Sequence, residues 1–112
     1  RSGKETFATC LHHAWTIAKM ISIGNLWEKY GKRRIYFSFE FLKEKIGMWL
    51  HHYKTGRLSV AKINGETISN AEAGRWFDSM NSVYFDLNTN SFWGKGKHLP
   101  DVVEIIKTAC GM

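Results

Sequence analysis

The sequence predicts an α+β domain, in which an antiparallel sheet of about five short strands is packed against three helices. The prediction comes from an alternating strand pattern at 33–41, a helix-capping signal followed by a helical repeat at 69–80, and short runs separated by turn residues. The chain has 112 residues, which suits one domain spanning 1–112. It is 44% hydrophobic, which is sufficient for a packed core.

The central element of the prediction is the strand at 33–41. Its apolar positions are Ile35, Phe37, Phe39 and Phe41, and its polar positions are Arg34, Tyr36, Ser38 and Glu40. Successive side chains of a strand point to opposite faces, so the alternation gives one apolar and one polar face. We expect the helices to cover the apolar face.

The first third of the chain predicts a helix and a connector. Ser2 and Glu5 form a capping box, and apolar residues then recur at the helical period as far as Ile21. Gly24 is suited to end a helix that runs from about residue 3 to residue 23. Residues 25–32 are interpreted as a connector to the central strand.

The middle of the chain predicts a hairpin and a second helix. The runs 48–53 and 57–63 flank Lys54-Thr55-Gly56, a composition typical of a three-residue hairpin turn. A tight turn at Asn64-Gly65 follows. Ser69 to Glu72 form a second capping box before the helix that ends near Met80.

The last third predicts a second hairpin and a third helix. A strand at 83–87 turns back into 91–93, and 94–98 is interpreted as a mobile basic loop. Pro100 suits the first turn of an amphipathic helix that stops before Gly111. The predicted order is helix, strand, hairpin, helix, hairpin, helix, which favours an antiparallel sheet.

The charge balance restricts the class of partner. Sixteen Lys and Arg against ten acidic residues give a net charge of +6, which favours acidic partners such as nucleic acid or an acidic protein patch. A protein that imitates DNA would be acidic. The alternative interpretation is an ordinary basic surface. Two cysteines are too few for a disulfide scaffold, which suggests a reducing cytoplasmic setting. The sequence shows no signal peptide and no apolar run of ~20 residues that would indicate a membrane partner.

A basic segment at the start of the central strand is the candidate binding site. Lys32, Arg33 and Arg34 precede Tyr36, and Arg34 and Tyr36 fall on the polar face of the strand. Basic and aromatic side chains together can contact phosphates and stack bases. A solvated sheet face is the alternative interpretation.

A zinc site is the second candidate. Cys10 and His13 are three residues apart on the first helix, and His52 shares its predicted strand face with Met48 and Leu50. Cys110 would join them if the terminal helices lie side by side, which predicts one structural zinc bound by Cys10, His13, His52 and Cys110. His51 would replace His52 if the register is shifted by one residue, whereas His12 and His98 are expected to be exposed. The alternative is that the cysteines are buried apolar residues.

The sequence contains no arrangement typical of an enzyme. No nucleophile-histidine-acid set and no paired carboxylates are visible. Gly94 to Lys97 lack the pattern of a phosphate-binding loop. We therefore expect a non-enzymatic protein.

Two segments resemble a known group of proteins. The runs 7–11, 14–15 and 17–19 are similar to the first helix of small prophage and mobile-element proteins of Gram-positive bacteria, and 26–37 is similar to the segment that follows it in those proteins. His12 and His13 depart from the usual pattern of that helix. Some such proteins are anti-CRISPR proteins. The resemblance implies an inhibitor that acts in the bacterial cytoplasm and binds a host type II CRISPR effector nuclease, or its guide RNA complex, by protein contact. The alternative function is a small basic nucleic-acid-binding module.

Overall fold

The computed structural model describes the backbone of residues 3–51 and 60–112, and the side chains of residues 12–51 and 60–112. Over these residues the chain forms helices and two antiparallel sheets, which confirms the α+β class. The predicted count was wrong in detail, because the described residues form four helices and seven strands. The sheets have strand orders β1-β2-β6-β7 and β3-β4-β5.

The elements follow one another in the chain with short connections. In order they are α1 Gly3–Ile23, β1 Gly24–Lys29, β2 Lys32–Phe37, α2 Phe39–Ile46, β3 Met48–His51, β4 Val60–Ile63, β5 Glu66–Thr67, α3 Asn70–Ser82, β6 Tyr84–Asp86, β7 Ser91–Trp93 and α4 Leu99–Cys110. The predicted first helix is confirmed at both ends, although its expected cap, Ser2, lies outside the described residues. The predicted hairpin turn at 54–56 also lies outside them.

The predicted connector at 25–32 is instead the first half of a hairpin. Strand β1 pairs with β2 over its whole length, from Gly24 opposite Phe37 to Lys29 opposite Lys32. The loop consists of Tyr30 and Gly31, both with positive φ (54° and 73°), which matches the twist of a two-residue hairpin. Sequence alternation misses β1 because five of its six residues are exposed.

The central strand is shorter than predicted. Strand β2 ends at Phe37, and Ser38 caps a new helix, since its Oγ accepts a hydrogen bond from the Phe41 backbone N–H at 3.1 Å. Phe39 and Phe41 therefore belong to α2 and are only partly buried. The side chains that α2 buries fully are Leu42 and Ile46, at the i, i+4 spacing of a helix.

The other predicted turns and caps are present. Asn64 and Gly65 connect β4 to β5 with φ angles of 51° and 84°. Ser69 caps α3 by accepting from the backbone N–H of Glu72 at 3.1 Å. Gly111 ends α4 in the left-handed conformation, with φ 75°.

The core lies between the helices and one face of the four-stranded sheet. Its buried members come from all four helices, from strands β2, β3 and β6, and from the junction of α3 and β6: Met20, Ile35, Phe37, Leu42, Ile46, Met48, Met80, Val83, Phe85, Val102, Ile106 and Cys110. Helix α1 contributes the fully buried Met20 to this core, and the chain passes from α1 into β1 at Gly24, where a Cβ would lie 2.8 Å from Ile35 Cγ2. No helix among the described residues is long and apolar enough to cross a membrane.

Candidate nucleic-acid interface

The opposite face of the four-stranded sheet carries aromatic and basic side chains. Residues that face each other across antiparallel strands point to the same side of the sheet. Tyr36 faces Tyr84, and Tyr84 faces Trp93. Arg34 faces Trp27, and Lys32 faces Lys29. We define the open sheet face by these seven side chains: Trp27, Lys29, Lys32, Arg34, Tyr36, Tyr84 and Trp93.

The aromatic members form a band across all four strands. The rings of Tyr36 and Tyr84 lie 5.4 Å apart between centroids, and those of Trp27 and Tyr36 form an edge-to-face contact at 6.0 Å with the planes at 74°. Trp27 and Trp93, at the two ends of the band, are 46% and 50% exposed. The ends of the band therefore present large apolar ring surface to solvent, while its centre is held by ring contacts.

A positively charged guanidinium lies in the middle of this band. Arg34 Nη1 donates a hydrogen bond to Tyr36 Oη at 3.3 Å, and the guanidinium carbon lies 4.3 Å from the centroid of Tyr84. The hydrogen bond to Tyr36 raises the pKa of Arg34; partial burial opposes this, and Tyr84, Tyr36 and Asp86 add to it electrostatically. Arg34 Nε is buried without a hydrogen-bond partner. The side chain is thus a fixed cation at the centre of the face.

Two lysines add mobile positive charge at one end. The ammonium of Lys29 lies 5.6 Å from the ring centroid of Trp27 and 5.1 Å from that of Tyr30. Lys32 faces it from β2 and is exposed. Lysine side chains of this kind can move from a ring face to a nearby anion, because the stem is flexible.

The predicted basic segment is divided between the two faces. Lys32, Arg34 and Tyr36 share the open sheet face, whereas Arg33 faces Glu28 on the other side. Arg33 Nε donates to Glu28 Oε1 at 3.0 Å, and both side chains are more than half exposed. The segment therefore contributes three of its four predicted residues to one surface.

Sequence reasoning missed four of the seven members of the face: Trp27, Lys29, Tyr84 and Trp93. Trp27 lies in the segment interpreted as a connector, and Tyr84 and Trp93 were assigned to strands without a functional role. Their common surface depends on the register of β1 and β6 against β2. The available signal was the alternation of Tyr84 with buried Val83 and Phe85, which marks Tyr84 as pointing away from the core.

The structure describes only two of the four predicted zinc ligands. The side chain of Cys10 and all of His52 lie outside the described residues. His13 is partly buried and its Nε2 has no hydrogen-bond partner, while Cys110 is fully buried. Burial raises the pKa of the Cys110 thiol, against the opposing charge of Lys19. Within residues 12–51 and 60–112, no group of three or more His, Cys, Asp or Glu side chains is placed to hold a metal ion.

The expectation that His98 is exposed was wrong. Its ring stacks on Trp76 with centroids 4.0 Å apart and planes 5° apart, and only 9% of the residue is exposed. Nε2 pairs with Glu72 Oε1, and Nδ1 lies 3.6 Å from Asp101 Oδ2. The sequence could not show this, because Glu72 and Trp76 come from a helix more than twenty residues earlier.

The basic loop that leads to His98 is attached to α3. The backbone N–H of Lys95 donates to Ser82 Oγ at 2.8 Å, and the backbone N–H of His98 donates to Ser79 Oγ at 3.0 Å. A Cβ on Gly96 would lie 2.3 Å from Ser79 Oγ, so the close approach requires glycine. These contacts give the loop a structural role in joining α3 to α4.

No family model matches this chain, and neither a curated protein nor a solved structure is significantly similar to it. Its function is therefore inferred from the surface of the molecule itself.

Proposed function

We propose that the protein is a small binding module for single-stranded nucleic acid, which it contacts through the open sheet face. The observation that carries the proposal is the band of Trp27, Tyr36, Tyr84 and Trp93 around the Arg34 guanidinium. Single-stranded nucleic acid presents ring faces and phosphates at regular intervals, and this surface offers ring faces and cations side by side.

Stacking would supply most of the binding free energy. Stacking of a base on an aromatic side chain contributes about 1–3 kcal/mol per base. Neighbouring strands are about 4.8 Å apart, so the band spans roughly 14 Å from β1 to β7. Sheet surfaces of this kind in RNA-binding modules stack about two to three bases.

The cations favour the same ligand. Lys29 and Lys32 lie at the β1–β2 end of the band and Arg34 lies at its centre, and the whole chain carries a charge of +6. Asp86 is the acidic residue opposite Arg34, and it is buried, with its Oδ1 accepting from the Asn88 backbone N–H at 2.8 Å. The accessible charge beside the exposed rings is therefore positive.

A single strand fits better than a duplex. In a duplex the base faces are stacked within the helix, and an aromatic side chain on a sheet cannot reach them without unstacking. Exposed rings such as Trp27 and Trp93 can stack only on bases that are not already stacked within a duplex. We expect affinity for a single strand to exceed that for a duplex of the same length.

Fluorescence anisotropy with labelled single-stranded RNA, single-stranded DNA and duplex DNA tests the proposal. Trp27→Ala and Trp93→Ala should each weaken single-strand binding by about fivefold or more, from the stacking lost. Trp49→Ala is the matched control, because Trp49 is 51% exposed on the other sheet. Absence of binding at low salt, or an equal loss of affinity in Trp27→Ala and Trp49→Ala, would contradict the proposal.

Inhibition of a type II CRISPR effector by protein contact remains a separate prediction, supported by the resemblance of the runs 7–11, 14–15, 17–19 and 26–37 to prophage proteins. Co-purification with the nuclease, with and without guide RNA, together with a DNA cleavage assay, tests it. We expect a stable complex and reduced cleavage. The absence of a complex and normal cleavage with several type II effectors would show that the prediction is wrong.

A further inference from the structure

A shallow depression lies at the β1 edge of the open sheet face. It has a volume of about 340 Å³ and is lined by Asn25, Leu26, Trp27 and Tyr36. We propose that this depression is a nucleobase pocket that prefers adenine over the other bases. The inference rests on the proposed function, since it names the base that one part of the same surface selects.

The indole of Trp27 is the stacking platform of the pocket. Its orientation is set by the edge contact with Tyr36, at 74° between planes, and by Lys29 above the ring at 5.6 Å. Nearly half of Trp27 remains exposed. A base that enters can take the ring face, while the Lys29 ammonium moves to the adjoining phosphate.

The carboxamide of Asn25 is the group that would distinguish bases. Asn25 faces Tyr36 across the hairpin and is two residues from Trp27, so it lies on the same side of the sheet. Two residues along a strand span about 6.6 Å, a distance that a base stacked on the indole can bridge. The Asn25 side chain is exposed and has no hydrogen-bond partner among the described residues.

The donor and acceptor of a carboxamide match adenine. Adenine presents an N7 acceptor beside an N6 amino donor, and asparagine pairs with both at once. In this pocket the base turns this Hoogsteen edge, the edge read in a major groove, toward Asn25. On that edge guanine presents two acceptors, O6 and N7, and each pyrimidine presents a single polar group, so only adenine makes both hydrogen bonds. A purine also covers more of an indole than a pyrimidine does. The pocket should therefore favour adenine over guanine, cytosine and uracil.

The test compares uridine heptamers that differ only in the central base. Labelled heptamers with A, G, C or U at the centre are titrated with the wild-type protein. A bidentate base contact corresponds to a discrimination of about fivefold to a hundredfold, so the adenosine heptamer should bind tighter than the others by a factor in this range. Equal affinity for all four heptamers, with binding observed, would overturn the pocket but leave the proposed function intact.

Asn25→Ala connects the preference to the pocket. The ratio of affinities between the A and G heptamers should fall to about one, because alanine provides no polar group to either purine and both purines stack on the same Trp27 indole. Asn81→Ala is the matched control, since Asn81 is an exposed asparagine on α3. A preference for A over G that survives in Asn25→Ala would overturn the assignment. If no heptamer binds, the proposed function fails, and the pocket fails with it.

Discussion

The guanidinium of Arg34 on β2 lies over the ring of Tyr84 on β6, with its central carbon 4.3 Å from the ring centroid. The contact joins adjacent strands, and Tyr36 Oη accepts a hydrogen bond from Arg34 Nη1 at 3.3 Å. A cation stacked on an aromatic ring keeps a fixed orientation before any ligand arrives. Arg34 therefore belongs to the open sheet face, whereas its neighbour Arg33 lies on the other side of the strand and faces Glu28.

The two arginines should therefore differ in a salt titration of single-strand binding. Arg34→Ala should weaken binding and lower the slope of log K against log salt by about 0.7, the value for one phosphate contact on a single strand. Arg33→Ala should change the slope much less, because Arg33 points to the other face and pairs with Glu28. Equal changes for the two variants would contradict the assignment of the open sheet face.

Phe37 and Phe41 should respond differently to a charge. Phe37→Asp should prevent folding, because it buries an unpaired carboxylate in the core, where Phe37 is 7% exposed. Phe41→Asp should fold with a free energy of unfolding lowered by roughly 1–3 kcal/mol, since Phe41 is partly buried in the first turn of α2. Circular dichroism and urea unfolding measure both. Equal destabilisation by Phe37→Asp and Phe41→Asp would instead support one continuous strand through 33–41.

The carboxylate of Glu72 should make stability depend on pH. Hydrogen bonds from Arg75 and then His98, together with the charge of Lys97, lower the pKa of Glu72 below its ordinary value of 4.5, against the effect of desolvation. The stabilisation is therefore complete above pH 4.5 and is lost as the pH falls through the lower pKa of the folded state. The measurement is urea unfolding of wild type and Glu72→Gln at several pH values.

The difference in unfolding free energy between these two proteins should be largest above pH 4.5 and shrink below it. Glu104→Gln is the control, because it removes an exposed carboxylate on α4 that has no ion pair among the described residues. If the difference in unfolding free energy between wild type and Glu72→Gln stays constant with pH, Glu72 acts only through its shape and packing.

The zinc prediction is tested by elemental analysis of protein purified without a histidine tag. A site formed by Cys10, His13, His52 and Cys110 should give about one zinc per chain and a loss of thermal stability on chelation. The C-terminal end of α4 lies near α1, since a Cβ on Gly111 would lie 3.4 Å from the Trp15 ring. A zinc content near zero would identify Cys110 as a plain core residue.

The sequence predicted the elements whose signals are local. Helix α1 had a continuous helical period, α3 had its Ser69 cap, and α4 had a proline near its start and Gly111 at its end. Strand β1 was missed because an exposed edge strand needs no apolar alternation. Helix α2 was missed because Phe39 and Phe41 continue the alternation of apolar and polar residues in β2. In the structure, Ser38 caps a helix at this point, and the strand ends before it.

The candidate site was predictable only in part, for a related reason. Lys32, Arg34 and Tyr36 are consecutive members of one strand face, so alternation places them together. Trp27, Tyr84 and Trp93 join them through strand pairing, which depends on register and not on local pattern. His98 needed Trp76 and Glu72 from α3, and a local interpretation therefore left it in solvent.

Nuclear magnetic resonance of the tryptophan indole N–H signals during titration with a single-stranded heptamer tests the central claim most directly. The chain has five tryptophans, each assignable by a Trp→Phe variant. The signals of Trp27 and Trp93 should shift, whereas those of Trp15, Trp49 and Trp76 should stay in place. Shifts confined to Trp15 or Trp49, or no shift at saturating heptamer, would contradict binding on the open sheet face.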